Sequence, residues 1–276
     1  MIGDVVGEPG LQVLESLLPS LIAEHKADFA VVNGENAAEG FGMNEAALNR
    51  ILAAGADIVT SGNHVWEKRE FWPVMERENR ILRPANYPAG CAGRGWAVTE
   101  KAGVSWVTVN LQGRELMTAI DCPFRTFDAI IDGLTGSGHI SHALYSPEGV
   151  PALLPKTINS VILVDFHAES AEEKEALAFY LDGRASLAAG THTHVQTADE
   201  RILPRGTGYI TDLGMTGPRD SVIGMDPRIC LDRARTQIAY RMECAKTEAV
   251  LQGIAAEIDG ETGRAVSLRR LSCSAG

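Results

Sequence analysis

Short apolar runs alternate with amphipathic stretches through the first two hundred residues of the chain. Five of these runs have the length and apolar content of buried strands, and they cover residues 28–33, 57–61, 105–110, 161–165 and 185–190. Helical spacing predicts one helix over 44–54, with Asn44 as its N-cap, and another over 171–182. Because strands and helices alternate, the pattern predicts an α/β fold with a largely parallel sheet.

The carboxyl-terminal part of the chain has a different pattern. Residues 247–259 and 264–272 are predicted to be two strands joined by a turn at 259–263, which indicates a hairpin. An antiparallel element is therefore expected to complete the fold. Residues 132–156 are rich in Gly, Ser and Pro without a sustained period, which predicts an irregular insertion or flap. No repeat or linker divides the chain, so residues 1–276 are interpreted as a single domain.

Charge and cysteine content narrow the class of protein. The chain carries 25 Lys and Arg against 36 Asp and Glu, a net charge of −11. An acidic surface repels phosphate backbones, so stable binding of long nucleic acids is not expected, whereas a small anionic substrate can be held by a buried metal ion. No apolar run has the length of a membrane span, and the five cysteines include no Cys-x-x-Cys pair. These features predict a cytoplasmic protein with reduced thiols and no membrane contact, and they leave a homo-oligomer open.

Polar side chains that can bind metals follow the predicted strands directly. They are Asp4, Glu35, Asn36, Asn63, His64, His167, His192 and His194. The carboxyl ends of parallel strands share one edge of a sheet, so these side chains are expected to converge there. Carboxylate and amide oxygens with imidazole nitrogens, and no thiolate, suit a hard or borderline divalent ion. Each residue alone has an ordinary explanation as a turn, cap or core residue, but His192 and His194 would face the same side of an extended chain.

The order of these residues resembles that of the calcineurin-like metallophosphoesterases. The matching motifs are the early Asp4, Gly62-Asn63-His64, the lone His167 and His192-Thr193-His194. Asn33-Gly34-Glu35-Asn36 and Thr191 depart from the general pattern and are similar to the YmdB-type phosphodiesterases, as are residues 3–7, 32–38, 60–66, 83–88, 110–114, 121–125, 165–169 and 190–200. The resemblance implies a calcineurin-like fold, in which helices flank a mixed β-sheet sandwich with a dinuclear metal site at the carboxyl ends of its strands.

The resemblance also implies a metal-dependent phosphodiesterase acting on cyclic nucleotides such as 2′,3′-cyclic AMP. One divalent ion would take Asp4, Glu35, Asn36 and His194, and a second would take Glu35, Asn63, His167 and His192, with Glu35 bridging both. Iron is the metal that the resemblance favours, with manganese or zinc as alternatives. A metal-bound hydroxide would attack phosphorus in line while His64 donates a proton to the leaving oxygen. Arg125 is either a phosphate ligand or an ordinary surface arginine.

Two other interpretations compete with a phosphodiesterase. A metal-binding regulatory protein could keep the same fold and ligands with little turnover. A barrel amidohydrolase also uses a His-x-His pair, but on its first strand, whereas His192 and His194 come late in this chain. The family carries more apolar residues before its first aspartate than Met1-Ile2 provide, so a short first strand is expected to hold Asp4 loosely.

Overall fold

The computed structural model describes residues 1–135 and 160–274. The strands in chain order are β1 (Asp4–Val5), β2 (Val31–Asn33), β3 (Ile58–Thr60), β4 (Trp96–Lys101), β5 (Val104–Gln112), β6 (Ser160–His167), β7 (Leu187–Thr191), β8 (Arg201–Ile202), β9 (Gly208–Ile210), β10 (Met215–Pro218), β11 (Ala249–Ile258) and β12 (Ala265–Ser274). The α-helices are α1 (Gly7–His25), α2 (Glu45–Ala53), α3 (Trp72–Arg77), α4 (Pro123–Thr135), α5 (Ala171–Leu181) and α6 (Pro227–Thr236). Two 3-10 turns, Asn63–Trp66 and Arg69–Phe71, follow β3.

The strands form two mixed sheets. In the first, β1, β10, β11 and β12 lie in that order, with β1 parallel to β10 and the other pairs antiparallel. The parallel pair β2–β3 lies beside β1, joined to its flanks by bridges from Ile2 to Val32 and from Val6 to Asn36. In the second sheet the order is β4-β5-β6-β7-β9-β8, with only the edge strands β4 and β8 antiparallel to their neighbours. Both sheets therefore place parallel strands side by side, and the carboxyl ends of these strands share an edge.

The two sheets pack face to face between two layers of helices. Apolar side chains of both sheets fill the space between them, such as Val31 and Ile254 from the first and Leu163 and Ile210 from the second. The outer face of the first sheet packs against α1 and α2, and that of the second packs against α4 and α5. The prediction of a mixed β-sheet sandwich flanked by helices is confirmed.

The local predictions for the central strands and two helices are confirmed with shifts of a few residues at their ends. Asn44 caps α2, since its side chain accepts a hydrogen bond from the Ala47 amide at 2.8 Å. The predicted hairpin is the pair β11–β12. The short β1 does not hold Asp4 loosely, because Asp4 is fully buried and its amide donates to the Gly214 carbonyl at 3.1 Å. That expectation from the short first strand is wrong.

The start of the predicted irregular segment 132–156 is helical, so the prediction is wrong there. Its first four residues complete the last turn of α4, because Leu134 packs against the same apolar cluster as Phe127 and Ile131. The rest of the segment, with His139 and His142, lies outside the described residues. In the part of the chain that the structure does describe, no helix is long and apolar enough to cross a membrane.

Candidate metal centre

The candidate ligands other than Asp4 lie at or just beyond the carboxyl end of a strand. Asp4 opens the two-residue β1, Glu35 and Asn36 follow β2, and Asn63 and His64 form the 3-10 turn after β3. In the second sheet, His167 is the last residue of β6, and its neighbour in register is Thr191, the last residue of β7. His192 and His194 follow Thr191 in the next loop. The parallel registers therefore bring side chains from both sheets to one edge of the sandwich.

The ligand atoms form two clusters that share Glu35. One cluster contains Glu35, His167 and His192, and the other contains Asp4, Glu35 and His194. Within each cluster the potential ligand atoms all lie within 4.8 Å of one another. Glu35 Oε1 is 3.1 Å from His167 Nε2, which is 2.9 Å from His192 Nδ1. This arrangement can hold two adjacent cations with one carboxylate between them.

Two asparagines complete the clusters. Asn63 Oδ1 lies 3.1 Å from His167 Nε2, and Asn36 Nδ2 lies 3.2 Å from His194 Nε2. The Oδ1 atoms of Asp4 and Asn36 are buried without a hydrogen-bond partner among the described residues. Buried oxygens normally have a partner, so these two orphaned acceptors fit a site that binds a cation.

Burial and mutual charge shift the protonation of these groups strongly. Burial raises the pKa of Asp4 to about 6, against the opposing charges of His194 and His167. Burial would raise the pKa of Glu35 as well, but the charge and hydrogen bond of His167 lower it to about 2. Burial opposes the charge on His167, yet Glu35 and Asp4 raise the His167 pKa to about 9. The metal-free cluster thus keeps a proton on His167 that a cation would have to displace.

Gly62 is required for the close packing of the first cluster. A Cβ atom at this position would meet the His167 ring and the Glu35 carboxylate at distances below any real contact. Any other residue would therefore push the two ligands apart, and the motif Gly62-Asn63-His64 has a geometric reason for its first position.

A buried chain of hydrogen bonds, here called the relay, runs from His167 through Thr191 to Asp165 and orients the His167 ring. Its Nδ1 lies 3.0 Å from the Thr191 hydroxyl, which lies 2.7 Å from Asp165 Oδ1. Thr60 and Asn33 donate to the other carboxylate oxygen of Asp165, at 2.5 Å and 3.0 Å. If the Thr191 proton goes to the carboxylate, the hydroxyl accepts from His167 Nδ1–H, which leaves the Nε2 lone pair facing the cluster.

The hydrogen-bonded chain His167–Thr191–Asp165 was not predicted, although the sequence contains two indications of it. Asp165 precedes His167 by two residues on one strand, so both side chains lie on the same face of the sheet. A carboxylate inside the apolar run 161–165 needs a polar partner. A candidate partner is Thr191, which occupies the position where the general family pattern has glycine.

The loop that carries His192 and His194 is not extended, so the expectation that both face one side of an extended chain is wrong. Their φ angles are 101° and 64°, in the left-handed region, and the two rings enter different clusters. The buried Asp212 holds this loop by accepting from the Thr193 amide at 3.1 Å and from Lys174 Nζ at 2.7 Å. His194 Nδ1 donates to the Ile223 carbonyl at 2.9 Å, which leaves its Nε2 as the ligand atom.

His64 lies at the rim of the centre. Its Nδ1 is 3.3 Å from Glu67 Oε1, and the Phe41 ring meets it edge-on at 5.4 Å between centroids. His64 lines a cavity of about 720 Å³ together with Glu35, Asn36, His192 and His194. Arg125 lies exposed on α4, and it is not among the residues that line this cavity. The structure therefore brings together His64 and the seven predicted ligands, but not Arg125.

The chain is similar to known proteins over nearly its whole length. A family model described as "YmdB-like protein" matches residues 1–271. A 2′,3′-cyclic-nucleotide 2′-phosphodiesterase of Bacillus subtilis (strain 168) is 40% identical over 270 residues, 98% of this chain and 94% of that protein. A crystal structure of a hypothetical protein from Thermus thermophilus has a TM-score of 0.86 at 37% identity, covering 99% of this chain and 97% of its own.

A crystal structure of a novel phosphatase from Mycoplasma pneumoniae is also similar. It has a TM-score of 0.84 at 29% identity and covers 99% of this chain and 92% of its own. The family match spans both sheets and every candidate ligand. The chain belongs to the YmdB-like family.

Proposed function

We propose that this chain is a metal-dependent phosphodiesterase that hydrolyses 2′,3′-cyclic nucleotides such as 2′,3′-cyclic AMP. The observation that carries the proposal is the sharing of Glu35 by two ligand clusters, because paired cations are a recurrent device for phosphodiester cleavage. The activity named for the Bacillus subtilis relative supports the substrate class. We propose iron as the metal, with manganese or zinc as substitutes, since mixed oxygen and nitrogen donors suit all three.

The ligands divide between two cation positions in this proposal. Asp4, Asn36 and His194 hold one cation, Asn63, His167 and His192 hold the other, and Glu35 contributes to both. Two divalent ions, when bound, supply the Lewis-acid charge and the activated water that hydrolysis of a phosphodiester needs. The chain itself keeps the ligands in place through Asp165, Thr191 and Asp212, so little reorganisation is needed when substrate binds.

His64 is the proposed proton donor to the leaving oxygen. Its Nδ1 faces Glu67, which leaves Nε2 available to a substrate in the cavity. Its position one residue after Asn63 keeps it beside the cations without making it a ligand. Imidazole side chains are common general acids in enzymes, so His64 has the chemistry for this role.

The first test is turnover of 2′,3′-cyclic AMP by the purified protein before and after removal of metal with a chelator. We expect hydrolysis that the chelator abolishes and that added iron or manganese restores. Metal binding with no turnover of any phosphodiester would contradict the proposal and favour a regulatory protein that keeps the same fold.

The second test separates proton donation from metal binding. His64→Ala should lower turnover of 2′,3′-cyclic AMP by about 10² or more, because its alkoxide leaving group needs a proton. Turnover of bis-nitrophenyl phosphate should fall much less, since nitrophenolate is a stable leaving group. Metal content should stay near that of the unchanged protein, and His25→Ala, at the end of α1, serves as the control. Equal losses on both substrates with metal retained would argue against proton donation by His64.

A further inference from the structure

The cavity above the metal centre is far larger than a phosphate group requires. It has a volume of about 720 Å³, and the metal ligands form only one side of it. Another part of its lining comes from residues 222–242, which include α6. No residue of α6 is buried, and Cys230 on this helix packs against the small apolar cluster around Met225.

The side of the cavity formed by Phe41 and residues 222–242 is mainly apolar. It includes Phe41, Ile223, Ile238 and Met242, and it adjoins the small apolar cluster around Met225. Ile223 and Ile238 are 55% and 57% exposed, so both leave apolar surface in contact with water. A ligand that covers these side chains would gain from removing that surface from water.

The apolar wall is held in place relative to the reacting groups. The Ile223 carbonyl accepts the hydrogen bond from His194 Nδ1 at 2.9 Å, and Phe41 meets the proton donor His64 edge-on. A substrate whose phosphate lies at the candidate metal centre would therefore have the rest of its molecule beside this wall.

Two polar side chains interrupt the apolar wall beside α6. Arg233 offers only hydrogen-bond donors, whereas the Gln237 amide offers both a donor and an acceptor. A nucleobase has flat apolar faces and an edge that carries both donors and acceptors, so it matches this combination.

We propose that this side of the cavity is a nucleobase subsite, in which Phe41, Ile223 and Ile238 contact the base and Arg233 and Gln237 bind its edge. The inference rests on the proposed function, because it assumes that the phosphate of the same molecule lies at the metal centre. It assigns to α6 and its flanks a role in choosing nucleotides over phosphodiesters that lack a base.

The test compares 2′,3′-cyclic AMP with ribose 2′,3′-cyclic phosphate, which has no base. Ile238→Ala should lower kcat/KM for the nucleotide by about tenfold and leave the base-free substrate nearly unchanged. Leu231→Ala is the matched control, since Leu231 is 56% exposed on α6 but does not line the cavity. Equal losses on both substrates, or no loss on either, would overturn the subsite.

Binding of adenosine, measured by titration calorimetry, tests the subsite without any turnover. Adenosine should bind the unchanged protein and the Leu231→Ala variant alike, and about tenfold more weakly to Ile238→Ala. No adenosine binding by the unchanged protein would overturn the subsite. If the unchanged protein hydrolyses neither substrate but binds adenosine in this pattern, the proposed function fails while the base subsite stands.

Discussion

Glu35 is the residue at which the two ligand clusters meet. Its carboxylate is 1% exposed, and His167 keeps its pKa low, so it is ionised near neutral pH. Replacing the carboxylate by a carboxamide, as in glutamine, would keep the shape of the side chain and remove its charge.

Glu35→Gln should therefore lower both metal content and phosphodiesterase activity while leaving the fold intact. Metal analysis of the purified variant and its circular dichroism spectrum check the two halves of this expectation. Glu24→Gln, an exposed change on α1, should behave like the unchanged protein. Two full equivalents of metal in the Glu35 variant would show that Glu35 does not bridge the two cations.

Thr191 offers a sharper test of how a ligand is oriented. Valine has nearly the shape of threonine, so Thr191→Val removes the hydroxyl between His167 and Asp165 without a change in volume. Loss of such a partner costs roughly 10- to 100-fold in metal affinity, measured by competition with a chelator. Thr191→Ser keeps the hydroxyl and should stay close to the unchanged protein. Equal affinity of the valine and serine variants would show that the relay does not orient His167.

At the scale of elements, the loop after β7 depends on a buried ion pair. Lys174 on α5 and Asp212 before β10 are both about 1% exposed at their side chains, and Asp212 also accepts from the Thr193 amide and hydroxyl. Left-handed φ angles at His192 and His194 carry a conformational cost, so the loop needs such an anchor to keep its shape.

Lys174→Met should lower the free energy of unfolding by about 3–5 kcal/mol, because it leaves the Asp212 charge buried without its partner. Denaturation in urea measures the loss. The exposed pair Arg77–Glu45 is the control, with side chains 55% and 54% exposed, and Arg77→Met should cost less than about 1 kcal/mol. Similar losses in the two variants would mean that the buried pair does not hold the loop.

At the scale of the whole molecule, the metal centre links the two sheets. Asp4 and Glu35 come from the first sheet, and His167 and the loop after β7 come from the second. We expect a bound cation to stabilise the packing of one sheet on the other and to compete with the proton that His167 holds in the metal-free protein.

The stability of the metal-free fold should decrease as the pH rises, because His167 loses its proton. The pKa of His167 rises from 6.5 to about 9 in the metal-free fold, so its proton stabilises the fold below pH 6.5 and is lost as the pH rises through 9. The Tm of the metal-free protein should fall between pH 6.5 and about 9. The increase in Tm on addition of metal should become larger over the same range. His167→Gln cannot bind that proton and should lose this dependence. A metal-free Tm that is constant over the range would contradict the shift.

Much of the fold follows from local pattern, but α1 shows the limit. Gly7, Gly10 and Pro19 are poor helix residues, so the propensity at these positions disfavours a helix over 7–25, although the spacing of the leucines fits one. The helix forms because Leu11, Leu14, Leu18 and Leu21 enter the same apolar cluster as Leu251 and Leu271 of the first sheet. Packing between elements outweighs propensity here, and a sequence window does not contain it.

The sequence by itself predicted the types and order of the candidate ligands and, except for Asp4, their positions at or after strand ends, because strand ends and polar residues can be recognised locally. It did not determine which atoms meet. The tertiary structure placed Glu35 in both clusters and turned His192 and His194 apart. Only the tertiary structure could also join Asp165 to Thr191 and Lys174 to Asp212, since these partners lie 26 and 38 residues apart. Contacts of that kind depend on strand register and loop conformation, which long-range packing decides.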